Sequence, residues 1–516
     1  MSQFKFNFML AIVAFTVTML ATCNILDPSS EEGRNGVAAT QSAPPLLLIS
    51  IDGVRHDYLE KTELPNLARL ANGGLRADSL QQIFPTKTFA THYSMVTGLY
   101  ADGTGVVANS MWDPDRRSRF SLGNRDAVGD GYWYDGEPIW NTLEKTGKQA
   151  ATYFWPGSEA QIDGMRPTIW MPFAGDTPHD VRIAQVLEWL DLPGEERPEF
   201  LTLYFSVVDS AGHRHGPDHP QVISALQEVD RALGLLIEGM EQRELFGKMH
   251  ILITSDHGMQ TIDLDRYVMI DEYLDLSKVN VSDWGPAAQI WATEDGLTAE
   301  QIFEALNGAH PNMRVWKKAD VPPRYHFSNH KRVPDVVAEA DLGWMISNKA
   351  FFAGMERGLL NGMHGWDPAW HNMQGIFIAH GPAFAAGARA PTVRGIDLYS
   401  LMAELMQIKP ANTDGSLTAF APILYNPEPA SIRTSDWVCD NAQLVLREGR
   451  GLASLEHGER IFSLPLQVSA SGVRYEDTDM LFWSKGKEAQ VVIDGQALSN
   501  CHDVTQTTQL SMKLGL

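Results

Sequence analysis

Basic charge is in short supply in this chain: 41 Lys and Arg stand against 64 Asp and Glu, a formal net charge of -23 over 516 residues. Affinity for a nucleic-acid backbone needs clustered Lys and Arg that release counterions, so general nucleic-acid binding is set aside. A nucleotide substrate would have to be drawn in by metal, not by a basic surface. Cysteine is nearly absent, with only Cys23, Cys439 and Cys501. The chain also lacks internal repeats, and its one biased tract, Asn24 to Pro45, is rich in Ser, Glu, Gly, Ala and Pro without periodicity, which reads as a flexible tether. The apolar stretch from Phe8 to Leu20 is too short to span a membrane convincingly.

What is present begins with that stretch. Lys5 followed by an apolar run has the layout of a secretory signal, and Leu20-Ala21-Thr22-Cys23 resembles the bacterial lipoprotein cleavage box, which implies a lipid on Cys23. Ordinary signal cleavage is the alternative, since Thr22 stands where a smaller residue is usual. If Cys23 takes lipid, Cys439 and Cys501 are left as an even pair in an oxidising compartment, and a disulfide between them follows. The expected location is the cell envelope: an exported lipoprotein facing the periplasm or the cell surface, held to the membrane by that lipid.

At 516 residues the chain is long for one core, so a large domain and a smaller one are expected. From Leu46 to about Tyr425, apolar β-rich runs alternate with helical patterns such as Leu64 to Ala71 and Gln221 to Gln242, the βα signature of a mostly parallel sheet flanked by helices. The stretch from Trp316 to Trp344, with its prolines and charges, reads as a loop-rich insertion. Beyond the prolines at Pro427 and Pro429 come short strand-like segments with turn residues and no good helix, so a small β domain is expected. The predicted layout is a signal over 1–23, a tether over 24–45, a catalytic domain over 46–425, a linker over 426–434 and a β domain over 435–516.

Three apolar runs of the large domain stop on acid. Leu46 to Ile51 ends at Asp52, Phe200 to Val208 at Asp209, and Ile251 to Ser255 at Asp256-His257; His213 follows four residues after Asp209, and His364 lies far downstream. In open α/β sheets ligands gather beyond the carboxyl ends of the strands. Taken singly, an aspartate after a strand is commonly a helix cap. Taken together, Asp52, Asp209, His213, Asp256, His257 and His364 mix hard carboxylates with imidazoles, which suits zinc or manganese better than calcium. Thr88 precedes an amphipathic segment. Its hydroxyl is either an N-cap or, beside a dication, an alkoxide nucleophile.

These residues, with Phe84 to Ser94, Gly98-Leu99-Tyr100, Asn109 to Pro114, Phe154 to Ser158 and Met363 to Trp366, resemble the nucleotide pyrophosphatase/phosphodiesterase family of the alkaline phosphatase superfamily. The resemblance implies an alkaline-phosphatase-like α/β fold and two zinc ions per chain, one held by Asp209, His213 and His364, the other by Asp52, Asp256, His257 and Thr88. It implies that Thr88 attacks phosphorus to give a phosphothreonine enzyme that water then opens, with Asn109 and the Phe89 backbone N–H stabilising the charge that develops. Phe89 and Tyr204 would form an aromatic slot for a base, with Trp170 helping. Three aspartates and an alkoxide cancel the charge of two zinc ions, so a monoanionic diester should suit the site better than a monoester. No Cys-x-Pro-x-Arg segment points to sulfatases instead. Choline phospholipids are an alternative to nucleotides as substrate.

In the small domain, Ser469 to Tyr475 and Phe482 to Ala489, bracketed by Cys439 and Cys501, resemble the membrane-bound inhibitors of c-type lysozyme. That resemblance implies Ser471 and Lys485 as the residues entering a lysozyme cleft, and c-type lysozyme as a partner. A competing reading of the whole chain is a surface-anchored lysozyme-binding protein whose large domain is scaffold.

Overall fold

A computed structural model of the chain describes residues 43–354 and 360–505. The expected signal, Cys23 and nearly all of the tether lie outside the described residues. Eight strands form the central sheet: β1 (Leu46–Ile51), β2 (Leu75–Ala77), β3 (Ala150–Tyr153), β4 (Ile169–Met171), β5 (Phe200–Phe205), β6 (His250–Thr254), β7 (Phe377–His380) and β8 (Ala388–Ala390). Their order is β8-β2-β7-β6-β1-β5-β3-β4. The run β6-β1-β5-β3-β4 is parallel, and β7 is antiparallel to both of its neighbours.

Burial explains why the central strands read as unbroken apolar runs. Every residue of β1, β5 and β6 is buried, because helices cover both faces of the sheet. Along β1 the side chains alternate between two cores: Leu46 and Leu48 join the layer of Tyr93 and Trp140, while Leu47, Ile49 and Ile51 join the layer of Leu226 and Leu233. The second layer is closed by a long helix, Pro220–Gln242, with proline at its first position and Val222, Leu226, Val229, Leu233 and Met240 buried along one stripe.

The stretch expected to be loop-rich is mostly loop and 3-10 turn, with Val336–Ala340 and the end of Met313–Lys317 joining a second sheet. Asn280–Asp283, Ala287–Trp291, Val336–Ala340 and Met313–Lys317 pair in that order, all antiparallel, under a helix at Ala299–Leu306. The strands are short and their partners are distant in sequence, so local pattern carried little trace of them.

The C-terminal part is an eight-stranded closed barrel running from Arg433–Cys439 to Gln496–Asp503. Successive strands pair as hairpins, and the first closes on the last through Trp437 opposite Asp503 and Val438 opposite His502. Trp437, Leu446, Leu455, Phe462, Tyr475 and Phe482 fill it. Cys439 and Cys501 form a disulfide between those terminal strands, a cross-link of the kind that stabilises by about 2–5 kcal/mol.

Barrel and α/β body share a seam. Trp370 pairs as a β-bridge with Arg460, the Ile461 N–H donates to the Ala369 carbonyl at 2.8 Å, and Ala369 is part of the barrel core. On the body side of this seam the His371 ring stacks on His56, with centroids 3.4 Å apart. Burial, and then the neighbouring ring, pushes His56 down to about 3; burial pushes His371 down to about 4. Both rings are therefore neutral in the fold, whereas in the unfolded chain they protonate near 6.5. Their contribution to stability is complete above that value and is lost as pH falls through it toward the folded values. Urea unfolding midpoints should drop between pH 7 and pH 5, and His371→Gln should flatten that fall.

Candidate active site

The three acid-terminated strands bring their ends together. In register, Ile51 of β1 lies beside Phe205 of β5 and Ser50 beside Thr254 of β6, so the chain leaves all three strands at one level. Asp52 follows β1 directly, Asp256 and His257 follow β6, and Asp209 sits in the first turn of a helix, Val207–His215, that begins just after β5. One helical turn later comes His213 on the same face. Gly53, at φ +72°, makes the close approach: a Cβ there would lie 2.7 Å from the Asp209 Cα. Its N–H donates to Asp256 Oδ1 at 3.1 Å.

Two groups of candidate ligand atoms result. Asp209, His213 and His364 form one, and Asp52, Asp256 and His257 the other, with the ligand atoms of each group within 4.8 Å of one another. His213 Nε2 lies 3.3 Å from Asp209 Oδ1, and His257 Nε2 lies 2.9 Å from Asp256 Oδ2. The His257 and His364 rings, one from each group, stack with centroids 3.4 Å apart.

The imidazoles are oriented from behind. His213 Nδ1 faces the Gly362 carbonyl at 2.8 Å, His257 Nδ1 the Gly258 carbonyl at 2.9 Å, and His364 Nδ1 the Thr86 carbonyl at 2.7 Å. A carbonyl only accepts, so Nδ1 carries the proton on each ring and Nε2 presents a lone pair to its group. Facing those lone pairs are Asp52 Oδ1, Asp209 Oδ1 and Asp256 Oδ2, three buried oxygens with no hydrogen-bond partner. Burial, followed by the charges of Asp256 and Asp209, raises Asp52 well above the usual carboxylate range. Burial, followed by His257 and His213, holds His364 well below an ordinary imidazole. Imidazole nitrogens and unpartnered carboxylate oxygens converging on two points fit a pair of divalent cations with mixed nitrogen and oxygen ligands.

Thr88 begins a ten-residue helix, Thr88–Thr97, and its Oγ1 lies 3.3 Å from His257 Nε2. Asn109 is next to it. The Phe89 N–H donates to Asn109 Oδ1 at 2.9 Å, so that N–H is already engaged and the Asn109 amide Nδ2 is the donor left for a phosphate oxygen. Tyr204 differs from expectation: its buried hydroxyl donates to Asp52 Oδ2 at 2.5 Å, which makes it a support for a candidate ligand besides an aromatic wall. Trp170 does not line the cleft. Its ring lies under the Arg166 guanidinium on edge strand β4, and Phe173, three residues on, lines the cleft instead.

The cleft over the two groups has a volume of about 290 Å³ and is walled by Phe89, Phe154, Phe173, Leu122 and the Arg125–Glu159 ion pair. Sequence reading also passed over Lys87, which is buried beside Thr88 with Nζ 3.6 Å from Asp283 of the second sheet, and His92, whose ring bridges Ser50 Oγ at 2.7 Å and the Thr88 carbonyl at 2.8 Å. Both stand in the Thr86 to Tyr93 stretch, where a cation and an imidazole flanking a hydroxyl were the available signal. On the barrel, Ser471 and Lys485 are both exposed, and the Trp483 Nε1 donates to the Ser471 carbonyl at 2.9 Å.

Residues 46–367 match the family model of type I phosphodiesterase/nucleotide pyrophosphatase. The chain belongs to that family. Relatives include a venom phosphodiesterase of Naja atra, 37% identical over 77% of this chain and 48% of its own length. Ectonucleotide pyrophosphatase/phosphodiesterase family member 1 of Mus musculus is 38% identical over 75% of this chain and 43% of its own. The chain thus spans about half the length of the curated relatives it matches. Among solved structures, murine ectonucleotide pyrophosphatase/phosphodiesterase 5 in an inactive form with AMP is 34% identical with a TM-score of 0.70, covering 74% of this chain and all of that one. Residues 437–500 match membrane-bound lysozyme-inhibitor of c-type lysozyme. The family's α/β body and a closed barrel are thus both present in one chain. No helix among the described residues is long and apolar enough to cross a membrane.

If the two groups hold divalent cations, Tyr204→Phe removes the donor that fixes Asp52. It should weaken zinc binding, measured by competition with a fluorescent chelator, by about tenfold or more. Unchanged affinity would mean that the Asp52 carboxylate needs no such support.

Proposed function

We propose that the chain is a metal-dependent phosphodiesterase of the nucleotide pyrophosphatase type, acting through a covalent phosphothreonine. The observation that carries this reading is the position of the Thr88 hydroxyl, 3.3 Å from His257 Nε2 at the edge of two convergent carboxylate–imidazole groups. Asp209, His213 and His364 would hold one zinc ion, and Asp52, Asp256 and His257, with Thr88, the other. When bound, the two ions supply Lewis-acid polarisation of the phosphate and lower the pKa of the threonine hydroxyl.

Everything else falls to the chain. Thr88 Oγ1 forms the new bond to phosphorus while the opposite P–O bond breaks, and the leaving group departs with a proton. Water then attacks the phosphothreonine in line and restores the hydroxyl. Asn109 Nδ2 donates to a nonbridging oxygen, and the amino end of the helix that Thr88 begins adds a favourable dipole. Phe89 and Phe173 grip a flat leaving-side group. Their pairing, with a relative solved in complex with AMP, favours a nucleotide over a choline lipid. Thr88→Ala should abolish turnover of a chromogenic phosphodiester and leave zinc content largely intact. Residual wild-type-like turnover would remove Thr88 from the role of nucleophile.

A second reading concerns the barrel, as an inhibitor of c-type lysozyme. Ser471 and Lys485 are both exposed at neighbouring turns, where a Cβ on Gly472 would stand 3.4 Å from the Lys485 Cβ. The full chain should inhibit a c-type lysozyme, and the double substitution Ser471→Ala with Lys485→Ala should weaken inhibition by at least about tenfold, as removal of a buried charge partner does. A full chain inert toward lysozyme would leave the barrel without this activity. Export and a lipid on Cys23 belong to the same proposal, with the protein in the cell envelope.

A further inference from the structure

The segment 363–375 connects the candidate metal groups to the barrel. At its start, His364 Nδ1 donates to the Thr86 carbonyl, the Gly365 N–H donates to Thr86 Oγ1 at 3.0 Å, and Thr86 Oγ1 donates to the Trp366 carbonyl at 2.9 Å. Thr86 lies two residues before Thr88. Near its end, Met373 accepts the Gly258 N–H at 2.9 Å, next to His257. Between these points the segment is stitched to the barrel through Ala369, Trp370 and His371, which pair with Ile461, Arg460 and Glu459.

At the centre of the segment is Asp367, whose side chain is 1% exposed. A carboxylate buried so deeply is tolerable only if it is surrounded by positive charge and donors. Arg324 of the body supplies a bidentate pair at 2.7 and 2.6 Å, and the Ala369 N–H donates at 2.9 Å. The barrel supplies the rest. Arg460 Nη2 lies 3.6 Å from Asp367, and Asp494 ties both guanidiniums together, 2.6 Å from Arg324 Nε and 2.7 Å from Arg460 Nη1. Without the barrel, Arg324 would lose one of its two anions, Asp367 one of its two cations, and Ala369 its packing.

We propose that the barrel is a positioning element of the phosphodiesterase centre, with Arg460 and Asp494 as positioning residues that fix Asp367 and, through segment 363–375, the presentation of His364. This rests on the metal-dependent reading above. It gives the lysozyme-inhibitor-like fold a role in the chain's own chemistry, independent of any lysozyme.

The test uses the full chain with the charge-neutral double substitution Arg460→Met and Asp494→Asn, the milder Arg460→Lys, and Arg447→Met as comparison. Arg447 also joins barrel to body, through Asp78 at 2.7 Å, outside the ion-pair network around Asp367. Two readouts are taken: zinc affinity by chelator competition, and amide hydrogen exchange of residues 365–373 in metal-free protein. The double variant should bind zinc about tenfold or more weakly, as loss of support behind a ligand does, and should exchange those amides at least as much faster. Arg460→Lys should fall between it and wild type, and Arg447→Met should match wild type. Wild-type exchange in the double variant, or an equal effect from Arg447→Met, would overturn the proposal. Failure of the wild-type chain to bind zinc would overturn the metal reading instead, and the metal-free exchange would still decide the role of the barrel.

Discussion

Three carboxylate oxygens and three imidazole nitrogens, crowded together at the ends of the central strands, are the constraint on which the rest of this structure depends. Asp52 Oδ1, Asp209 Oδ1 and Asp256 Oδ2 have no hydrogen-bond partner, and the rings they face have their protons committed to backbone carbonyls on the far side. A buried carboxylate left both charged and unpaired costs several kcal/mol. Divalent cations would relieve that crowding. The fold accepts that cost at one place, the carboxyl ends of β1, β5 and β6, where the parallel register sets three aspartates at one level.

Much of the surrounding architecture follows as support for that crowding. Gly53 lets the turn after β1 lie against Asp209. Tyr204 reaches from β5 to hold the second oxygen of Asp52. Thr86 anchors the His364 loop immediately before the helix that Thr88 begins, so that the Thr88 hydroxyl and one of the candidate ligands share a single support. The barrel then closes the loop from its other side through Arg460, Asp494 and Ala369. The candidate metal groups and the barrel are joined by this one stretch of backbone.

The candidate ligand residues were legible in the sequence because buried parallel strands write themselves as unbroken apolar runs, and an acid at the end of such a run stands out. The long helix was legible by its period, 221–242 expected against Pro220–Gln242 found. The barrel was legible as short strands separated by turns. What escaped depended on neighbours that are remote along the chain. The second sheet joins Asn280–Asp283 to Val336–Ala340 through pairings no local pattern marks. Phe173, not Trp170, enters the cleft because the chain turns after β4. The Phe89 N–H is consumed by Asn109, and the Arg324–Asp367–Arg460–Asp494 network draws one member from each of four separate segments.

The central claim is that the two carboxylate–imidazole groups are a bimetallic centre. Anomalous diffraction at the zinc edge from crystals of the full chain grown with zinc tests it most directly. The account predicts one peak in each group, about 2.0–2.2 Å from the Nε2 and carboxylate oxygens that now face each other, with Thr88 Oγ1 beside the Asp52–Asp256–His257 peak. Absence of peaks there, with the aspartates protonated against one another and the imidazoles turned away, would contradict it.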